Sequence, residues 1–232
     1  MSRYKVPPPK IIEIETSSLC NLKCVMCPQS IKGGVPRPNR LPERLAEKIV
    51  PYINSNTECV SLHGIGEPFL SKSFWNLLPH IPEKCHAQAN TNLTVLTDKM
   101  LSSIISSNLN LLNVSLDGPD EELYKKIRGF DLSIVLSNIS KIITARERAG
   151  NRHLKVYGNM TLMKCNIDRI IGLYPKFATH DHYLWSVYIV FSSVFILYEI
   201  SMECAQEYPH PPRSGKSCRR MNPMYGIRWL CS

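Results

Sequence analysis

Ile11-Ile12-Glu13-Ile14-Glu15-Thr16, followed three residues later by Cys20-Asn21-Leu22-Lys23-Cys24-Val25-Met26-Cys27-Pro28, is the stretch on which the reading of this chain turns. The first part alternates in polarity and predicts a short strand feeding a tight loop. The second places three cysteines within eight positions, separated by three and then two residues. Such a loop points three thiolates at one centre. A closed structural zinc site takes four ligands. Three thiolates suit a cubane iron-sulfur cluster that keeps one iron open. A zinc site completed by His63 or His86 is the alternative reading of the same residues, and a lone CxxC pair such as Cys24 and Cys27 is often redox or zinc related.

Working outward, strands and helices alternate. A helix is expected from about Pro42, with Leu41, Leu45, Ile49 and Ile53 on one face and Pro51 bending or ending it. Cys59 to Leu62 reads as a buried strand ending at His63-Gly64, and Ser73 to Leu78 as a short helix. His86 to Ala89 is a third strand, ending at Asn90-Thr91-Asn92, and Asp98 to Ser107 is helical with Leu101, Ile104 and Ile105 inward. Leu111 to Leu116 is a fourth strand, stopping at Asp117-Gly118-Pro119, with the proline placed for the first turn of the Glu121 to Ile127 helix. Leu132 to Ala149 is amphipathic, with Leu132, Val135, Leu136, Ile139, Ile142 and Ile143 at helical spacing and Gly150 as its cap. Leu154 to Leu162 is a fifth strand, followed by a helix over Asp168 to Tyr174.

This alternation predicts an α/β fold with a parallel sheet and crossover helices, either barrel-curled or open and doubly wound. Chemistry in either arrangement collects at the carboxyl ends of the strands. Cys20, Gly66, Asn92, Ser115 and Met160 all fall at or just past such ends.

Composition bounds the rest. The chain has 232 residues, 44% of them hydrophobic and 20% charged, enough for one real core and at most an appendage. The net charge is +9, but the basic residues are scattered and no Lys/Arg block interleaves with aromatics, so a solvated surface is favoured over nucleic-acid binding. The start, Met1-Ser2-Arg3-Tyr4-Lys5, lacks the apolar core of a signal peptide, so a cytoplasmic location is expected. There, nine cysteines favour metal ligation over disulfides. Cys59, Cys85 and Cys165 have no spacing partner and read as core thiols. His63 reads as a satisfied histidine at a strand end, with a role as a base the alternative.

Three segments together resemble the radical S-adenosylmethionine (SAM) family. They are the CxxxCxxC run of Cys20, Cys24 and Cys27, the GxGEP form of Gly64-Ile65-Gly66-Glu67-Pro68, and Val114-Ser115-Leu116-Asp117-Gly118, in family order. The resemblance covers about residues 10 to 165 and implies a partial TIM barrel, (β/α)6. It implies that Cys20, Cys24 and Cys27 ligate a [4Fe-4S] cluster whose fourth iron is chelated by the amino and carboxylate groups of SAM. Reductive cleavage of SAM would then give a 5′-deoxyadenosyl radical that abstracts hydrogen from a substrate. By the same resemblance, the Gly64 and Gly66 backbone with Glu67 receives the methionine amino group, and Pro68 fixes the turn. Ser115, Asp117 and Asn92 contact the methionine or ribose part, although this chain has Leu93 where the family often has glycine. Met26 lies near adenine, and Met160 and Leu162 are either its wall or core residues. Arg128 either pairs with the SAM carboxylate or is a solvated surface arginine. Implied partners are a low-potential electron donor such as ferredoxin or flavodoxin and a substrate that, in part of the family, is a peptide or a small precursor.

The tail is read separately. Residues 183 to 198 form an apolar run with almost no charge. It is short for a membrane span of about 20 residues, and its β-branched and aromatic content favours one or two buried strands, including a sixth. Cys218, with Gly226, Trp229 and Cys231, resembles the start of an auxiliary-cluster extension of the SPASM or twitch type. The resemblance thus divides the chain into a core domain over 1 to 203 and the start of an extension over 204 to 232, with an incomplete auxiliary iron-sulfur site at Cys218 and Cys231. Two other classes stay open: an inactive iron-sulfur or electron-transfer protein, and a membrane-attached interaction protein driven by residues 183 to 198.

Overall fold

The computed structural model describes residues 7–30 and 38–169, and the backbone of 184–189 and 199–201. The expected boundary at 203/204 and the tail cysteines Cys204, Cys218 and Cys231 lie outside the described residues. Among the described residues, seven strands form one sheet in sequence order. They are β1 (Ile11–Glu13), β2 (Cys59–Leu62), β3 (His86–Thr91), β4 (Leu111–Ser115), β5 (Lys155–Leu162), β6 (Leu184–Ile189) and β7 (Glu199–Ser201). β1 to β6 pair in parallel, and β7 pairs antiparallel with β6. The intervening helices are α1 (Glu43–Ile49), α2 (Lys72–Leu77), α3 (Asp98–Ser106), α4 (Glu121–Arg128) and α5 (Leu132–Arg148).

The strand order decides between the two architectures that composition left open. Each crossover moves one strand along in the same direction. With right-handed connections, every helix then lands on the same face, as in a barrel, whereas a doubly wound sheet reverses. The sheet is therefore a partial TIM-type (β/α) barrel. Its residue alternation agrees. Val60, Leu62, Ala87, Ala89, Leu112, Val114, Val156, Met160 and Leu162 are buried in one cluster with Phe74, Leu77, Ile104, Val135, Ile139 and Ile142 of the helices. The opposite face is polar. Gln88 Nε2 donates to Ser61 Oγ at 2.9 Å, and Asn113 Nδ2 to Asn90 Oδ1 at 2.9 Å.

Helix limits follow local chemistry. Thr97 Oγ1 accepts from Met100 N at the start of α3, and Asp120 Oδ1 from Leu123 N at the start of α4. Pro119 therefore precedes the cap rather than opening the first turn. Gly129, at φ 70°, closes α4 in the left-handed conformation that glycine adopts without strain. Glu121 caps the next helix from outside, its carboxylate accepting from Leu132 N and Ser133 N at 3.0 Å each. Two helix faces differ from the periodicity. Ala46, not the 40%-exposed Leu45, is buried in α1, and Leu136 is 48% exposed at the flank of the α5 stripe. Of the apolar run 183 to 198, residues 184–189 form β6, and residues 190–198 lie outside the described residues. Among the described residues no helix is long and apolar enough to cross a membrane. Of the expected Asp168 to Tyr174 helix, residues 168 and 169 are helical, with 167 before them, and 170–174 lie outside the described residues.

Leu93, just past β3, has φ 50° and a fully buried side chain. The left-handed conformation costs an L-residue about 1–2 kcal/mol, and burying leucine returns about 1.5–3 kcal/mol. Burial outweighs strain, and leucine stands where the backbone alone would select glycine. The buried Asn138 amide holds the turn by donating to Leu93 O at 3.0 Å. Both Leu93→Gly and Leu93→Ala lose the packing, but only glycine relieves the strain. Leu93→Gly is therefore expected to unfold in urea at a higher midpoint than Leu93→Ala, by about 1 kcal/mol, the reverse of the usual glycine penalty. A lower midpoint for the glycine variant would contradict this account.

Candidate active site

The cysteine loop begins four residues beyond Thr16 and is closed at its base. Leu41 N donates to Thr16 O at 2.9 Å and Ser18 N to Asn39 O at 2.8 Å. Cys24 is buried, and Cys20 and Cys27 are half-buried. Burial raises the pKa of the Cys20 and Cys24 thiols. The Leu22 N–H, at 3.4 Å from Cys20 Sγ, and the Arg128 guanidinium at Cys24 oppose that shift. The neighbouring Cys24 adds to the rise at Cys20, and the neighbouring Cys27 to the rise at Cys24.

The GxGEP segment, following β2, seats this loop. Glu67 N donates to Leu19 O at 2.8 Å, and Gln29 Nε2 donates to both Ser18 O and Ile65 O. A methyl group on Gly66 would collide with the backbone carbonyls of Ser17 and Leu19. A methyl group on Gly64 would meet the Glu15 side chain, whose Oε1 accepts from Ile65 N at 2.6 Å. The close approach that glycine permits here is to the chain's own loop. Pro68 opens a short 3-10 turn over Pro68–Leu70. That turn is braced by Trp75 Nε1 donating to Phe69 O at 3.1 Å and by ring packing among Phe69, Phe74 and Trp75.

The Glu67 carboxylate is 4% exposed and already committed within the protein. Thr91 Oγ1 donates to Oε1 at 2.6 Å, Phe69 N to Oε1 at 3.1 Å, and Asn92 N to Oε2 at 2.6 Å. Burial pushes its pKa up, and these three donors pull it back. Glu67 thus ties the end of β2 to the end of β3. The buried Asn92 continues the tie to the cysteines, its Nδ2 reaching Asn21 Oδ1 at 2.9 Å and Cys20 Sγ at 3.6 Å. Its Oδ1 accepts from Thr94 N and Thr94 Oγ1, and Asn21 Nδ2 donates to Thr94 Oγ1 at 2.8 Å.

Asp117, past β4, is 1% exposed. Its Oδ1 accepts from Thr161 N at 2.6 Å and its Oδ2 from Arg128 Nε at 2.5 Å, while Asn166 Nδ2 donates to its carbonyl. Gly118 lies against the backbone of Leu123 and Tyr124, which leaves no room for a side chain. Arg128 is not a solvated surface arginine. Its side chain is 11% exposed, and its Nη1 donates to Cys24 Sγ at 3.3 Å. Burial works against its charge, but Asp117 and Cys24 outweigh burial and hold it protonated. Tyr124, fully buried one turn earlier, has its pKa pushed up to about 12, chiefly by burial.

The remaining sequence-singled residues are placed differently. Met160 is 3% exposed in the core cluster and Leu162 is 9% exposed in the same cluster, so both are core residues on the helix side of β5. Met26 is half-buried on the cysteine loop. Ser115 is half-buried at the end of β4, and its hydroxyl makes no hydrogen bond among the described residues. Beside it in register is Asn159 of β5, whose buried Oδ1 has no hydrogen-bond partner among the described residues. His63 stands at the same end of the sheet, whereas His86 opens β3 at the opposite end from the cysteines. Thr91, Asn138, Thr161 and Asn166 were not legible as site-forming from sequence. Each was one more polar residue until its partner was known.

A [4Fe-4S] cluster fits the chemistry of these donors. Three thiols share one loop, and N–H groups of Leu22, Asn92 and Arg128 are directed at two of the sulfurs. Among the described residues no three His, Cys, Asp or Glu side chains could hold a single metal ion. A cubane asks for less convergence, since each thiolate ends on its own iron.

Gly66→Ala is expected to unseat the cysteine loop, because backbone carbonyls cannot give way. The cost is about 1–3 kcal/mol. Gly64→Ala meets only the movable, exposed Glu15 side chain and is expected to cost under about 1 kcal/mol. Thermal unfolding and protease susceptibility of the two proteins compare them directly, and equal behaviour would contradict the packing described.

Comparison with known proteins places this geometry. The "Probable GTP 3′,8-cyclase" of Methanosarcina mazei is 29% identical over 157 residues, covering 66% of this chain and 46% of its own length. The chain thus spans about half the length of that curated relative. SuiB of Streptococcus suis, solved with S-adenosylmethionine, superposes with a TM-score of 0.61 at 22% identity, over 81% of this chain and 42% of that one. SuiB solved with its precursor peptide SuiA superposes with a TM-score of 0.55 at 24% identity, over 72% and 36% respectively. These likenesses establish the fold, and the family model of the Radical SAM superfamily matches residues 14–170. Over residues 14–170, from just past β1 to just past the last described residue of the helix after β5, the chain belongs to the radical SAM superfamily.

Proposed function

We propose that this chain carries a [4Fe-4S] cluster on Cys20, Cys24 and Cys27, binds SAM at the adjoining strand ends, and acts as a radical SAM enzyme. The observation that carries the reading is the seating of the cysteine loop. Gly66 and Asn92, from two strand-to-helix connections, and Arg128, from the last turn of α4, all close on it. When bound, the reduced cluster supplies one electron to the SAM sulfonium, releasing methionine and a 5′-deoxyadenosyl radical that takes a hydrogen atom from substrate.

The protein's part is to hold and orient. Cys20 and Cys24 retain their protons until iron arrives, because burial disfavours the free thiolates. With the Glu67 and Asp117 carboxylates consumed internally, the groups left for a polar ligand include the Ser115 hydroxyl and the Asn159 carbonyl oxygen. These two stand side by side on β4 and β5 and suit hydrogen bonds to the ribose or methionine part of SAM. Glu67 serves by fixing Asn92 rather than by touching the ligand.

A peptide or small precursor is the substrate in this reading, supported by the shared fold with SuiB, which was solved with a peptide. A low-potential one-electron donor such as ferredoxin or flavodoxin completes the requirement. The incomplete auxiliary site at Cys218 and Cys231 remains part of the proposal.

Anaerobically reconstituted protein, given dithionite and SAM, is expected to release 5′-deoxyadenosine. A full cluster spectrum with no such product would favour an inactive iron-sulfur protein instead. Cys24→Ala is expected to lose the cluster absorbance and the product together, and a Cys24→Ala protein with an intact [4Fe-4S] signal would overturn the ligand assignment.

A further inference from the structure

Arg128 has a geometry that an ordinary structural ion pair does not need. Its Nε is held by Asp117 Oδ2 at 2.5 Å, which alone would anchor the side chain. Its Nη1 is turned not to solvent but to Cys24 Sγ, at 3.3 Å. Three features fix this direction. α4 ends at Gly129 immediately after Arg128, so the guanidinium leaves the helix at its last turn. The backbone beside it is tied to the cysteine loop, Val25 N donating to Ile127 O at 2.9 Å. Asp117 cannot swing away, because its other oxygen accepts from Thr161 N at 2.6 Å. Cys24 is 5% exposed and the Arg128 side chain 11% exposed, so water does little to screen the contact.

We propose that Arg128 is a positioning residue that holds a positive charge against the Cys24 sulfur, with Asp117 setting its direction and tempering its strength, and so raises the reduction potential of the cluster. This rests on the cluster reading above. One-electron reduction by a low-potential donor adds one negative charge to the cluster and its thiolates. No bond forms or breaks, and no proton moves. A guanidinium hydrogen-bonded to one ligand sulfur stabilises the reduced form more than the oxidised form. Hydrogen bonds to the sulfurs and net local charge are established means of setting such potentials. Asp117 opposes the effect, because its own charge lies on the same guanidinium. The pair therefore predicts shifts of opposite sign when its two members are neutralised in turn.

The test is an EPR-monitored potentiometric titration of the full chain with its reconstituted cluster. Arg128→Met is expected to move the midpoint downward, by a tenfold or greater loss in the equilibrium for reduction, about 59 mV for a one-electron couple. Arg128→Lys keeps the charge but cannot fork to both partners, and it is expected to fall between wild type and Arg128→Met. Asp117→Asn is expected to move the midpoint upward. A merely structural role would give no such ordering. Equal midpoints for wild type and Arg128→Met, or shifts of the same sign for Arg128→Met and Asp117→Asn, would overturn the inference. Should Arg128→Met not fold or load, the opposite signs of Arg128→Lys and Asp117→Asn decide it. A wild-type protein that takes up no cluster fails the functional reading itself. A loaded wild type with an unmoved Arg128→Met midpoint fails this inference alone.

Discussion

The rest of the site depends on a carboxylate placed where parallel strands stop. At the end of a strand the ladder runs out, and backbone N–H groups facing inward need acceptors. Glu67 supplies them between β2 and β3, taking Asn92 N and Phe69 N together with the Thr91 hydroxyl. Asp117 does the same between β4 and β5, taking Thr161 N. An unpaired buried donor costs about 1–3 kcal/mol, so each carboxylate protects several times the worth of an average hydrogen bond. The same two side chains also reach the cysteine loop, Glu67 through Asn92 to Cys20 and Asp117 through Arg128 to Cys24. What holds the sheet's end together is what aims the sulfurs.

The parts of this arrangement that sequence made legible are those carried by local pattern. The strands Cys59–Leu62, Leu111–Ser115 and Lys155–Leu162 follow from apolar runs, and the cysteine loop and the GxGEP turn from spacing. The barrel did not follow, because strand order belongs to tertiary pairing and not to any window of residues. The internal hydrogen-bond partners of Glu67 and Asp117 were not legible for a related reason. Position past a strand end says that a carboxylate is near the site, but not whether it faces a ligand or the chain. Burial of 4% and 1%, with both oxygens of each carboxylate accepting hydrogen bonds within the chain, is visible only in three dimensions. Arg128 shows the same limit from the other side. A basic residue in the last turn of a helix is what the helix dipole favours at a surface, and nothing in Lys125-Lys126-Ile127-Arg128 marks the fourth as buried.

Met160 illustrates how strand parity sorts candidates. Side chains two apart share a face, so Val156, Met160 and Leu162 go to the helices together, and Tyr157, Asn159 and Thr161 go to the other side. Placing Met160 in the core therefore places Asn159 on the polar face beside Ser115, at the level where β4 ends. One residue of displacement in sequence converts an apolar wall into an unpaired acceptor. Among the described residues of the concave face, Gln88 pairs with Ser61 and Asn113 with Asn90. Satisfied pairs need no ligand. The Asn159 oxygen, one row nearer the strand ends, has no hydrogen-bond partner among the described residues.

Charge balance explains why such a site tolerates a buried guanidinium. Removing one member of a buried pair leaves an uncompensated charge, at a cost of about 3–5 kcal/mol. Arg128 avoids this with two partners of unequal character, the Asp117 carboxylate and the Cys24 sulfur. With Cys24 protonated, as burial favours, Asp117 alone balances the arginine. With the sulfur carrying charge, the second N–H is already in place, and the pair needs no rearrangement to accommodate it. The residual cost of holding an arginine 11% exposed is thus met before any iron binds, so the loop can be shaped in the metal-free chain and still favour charge on the sulfur.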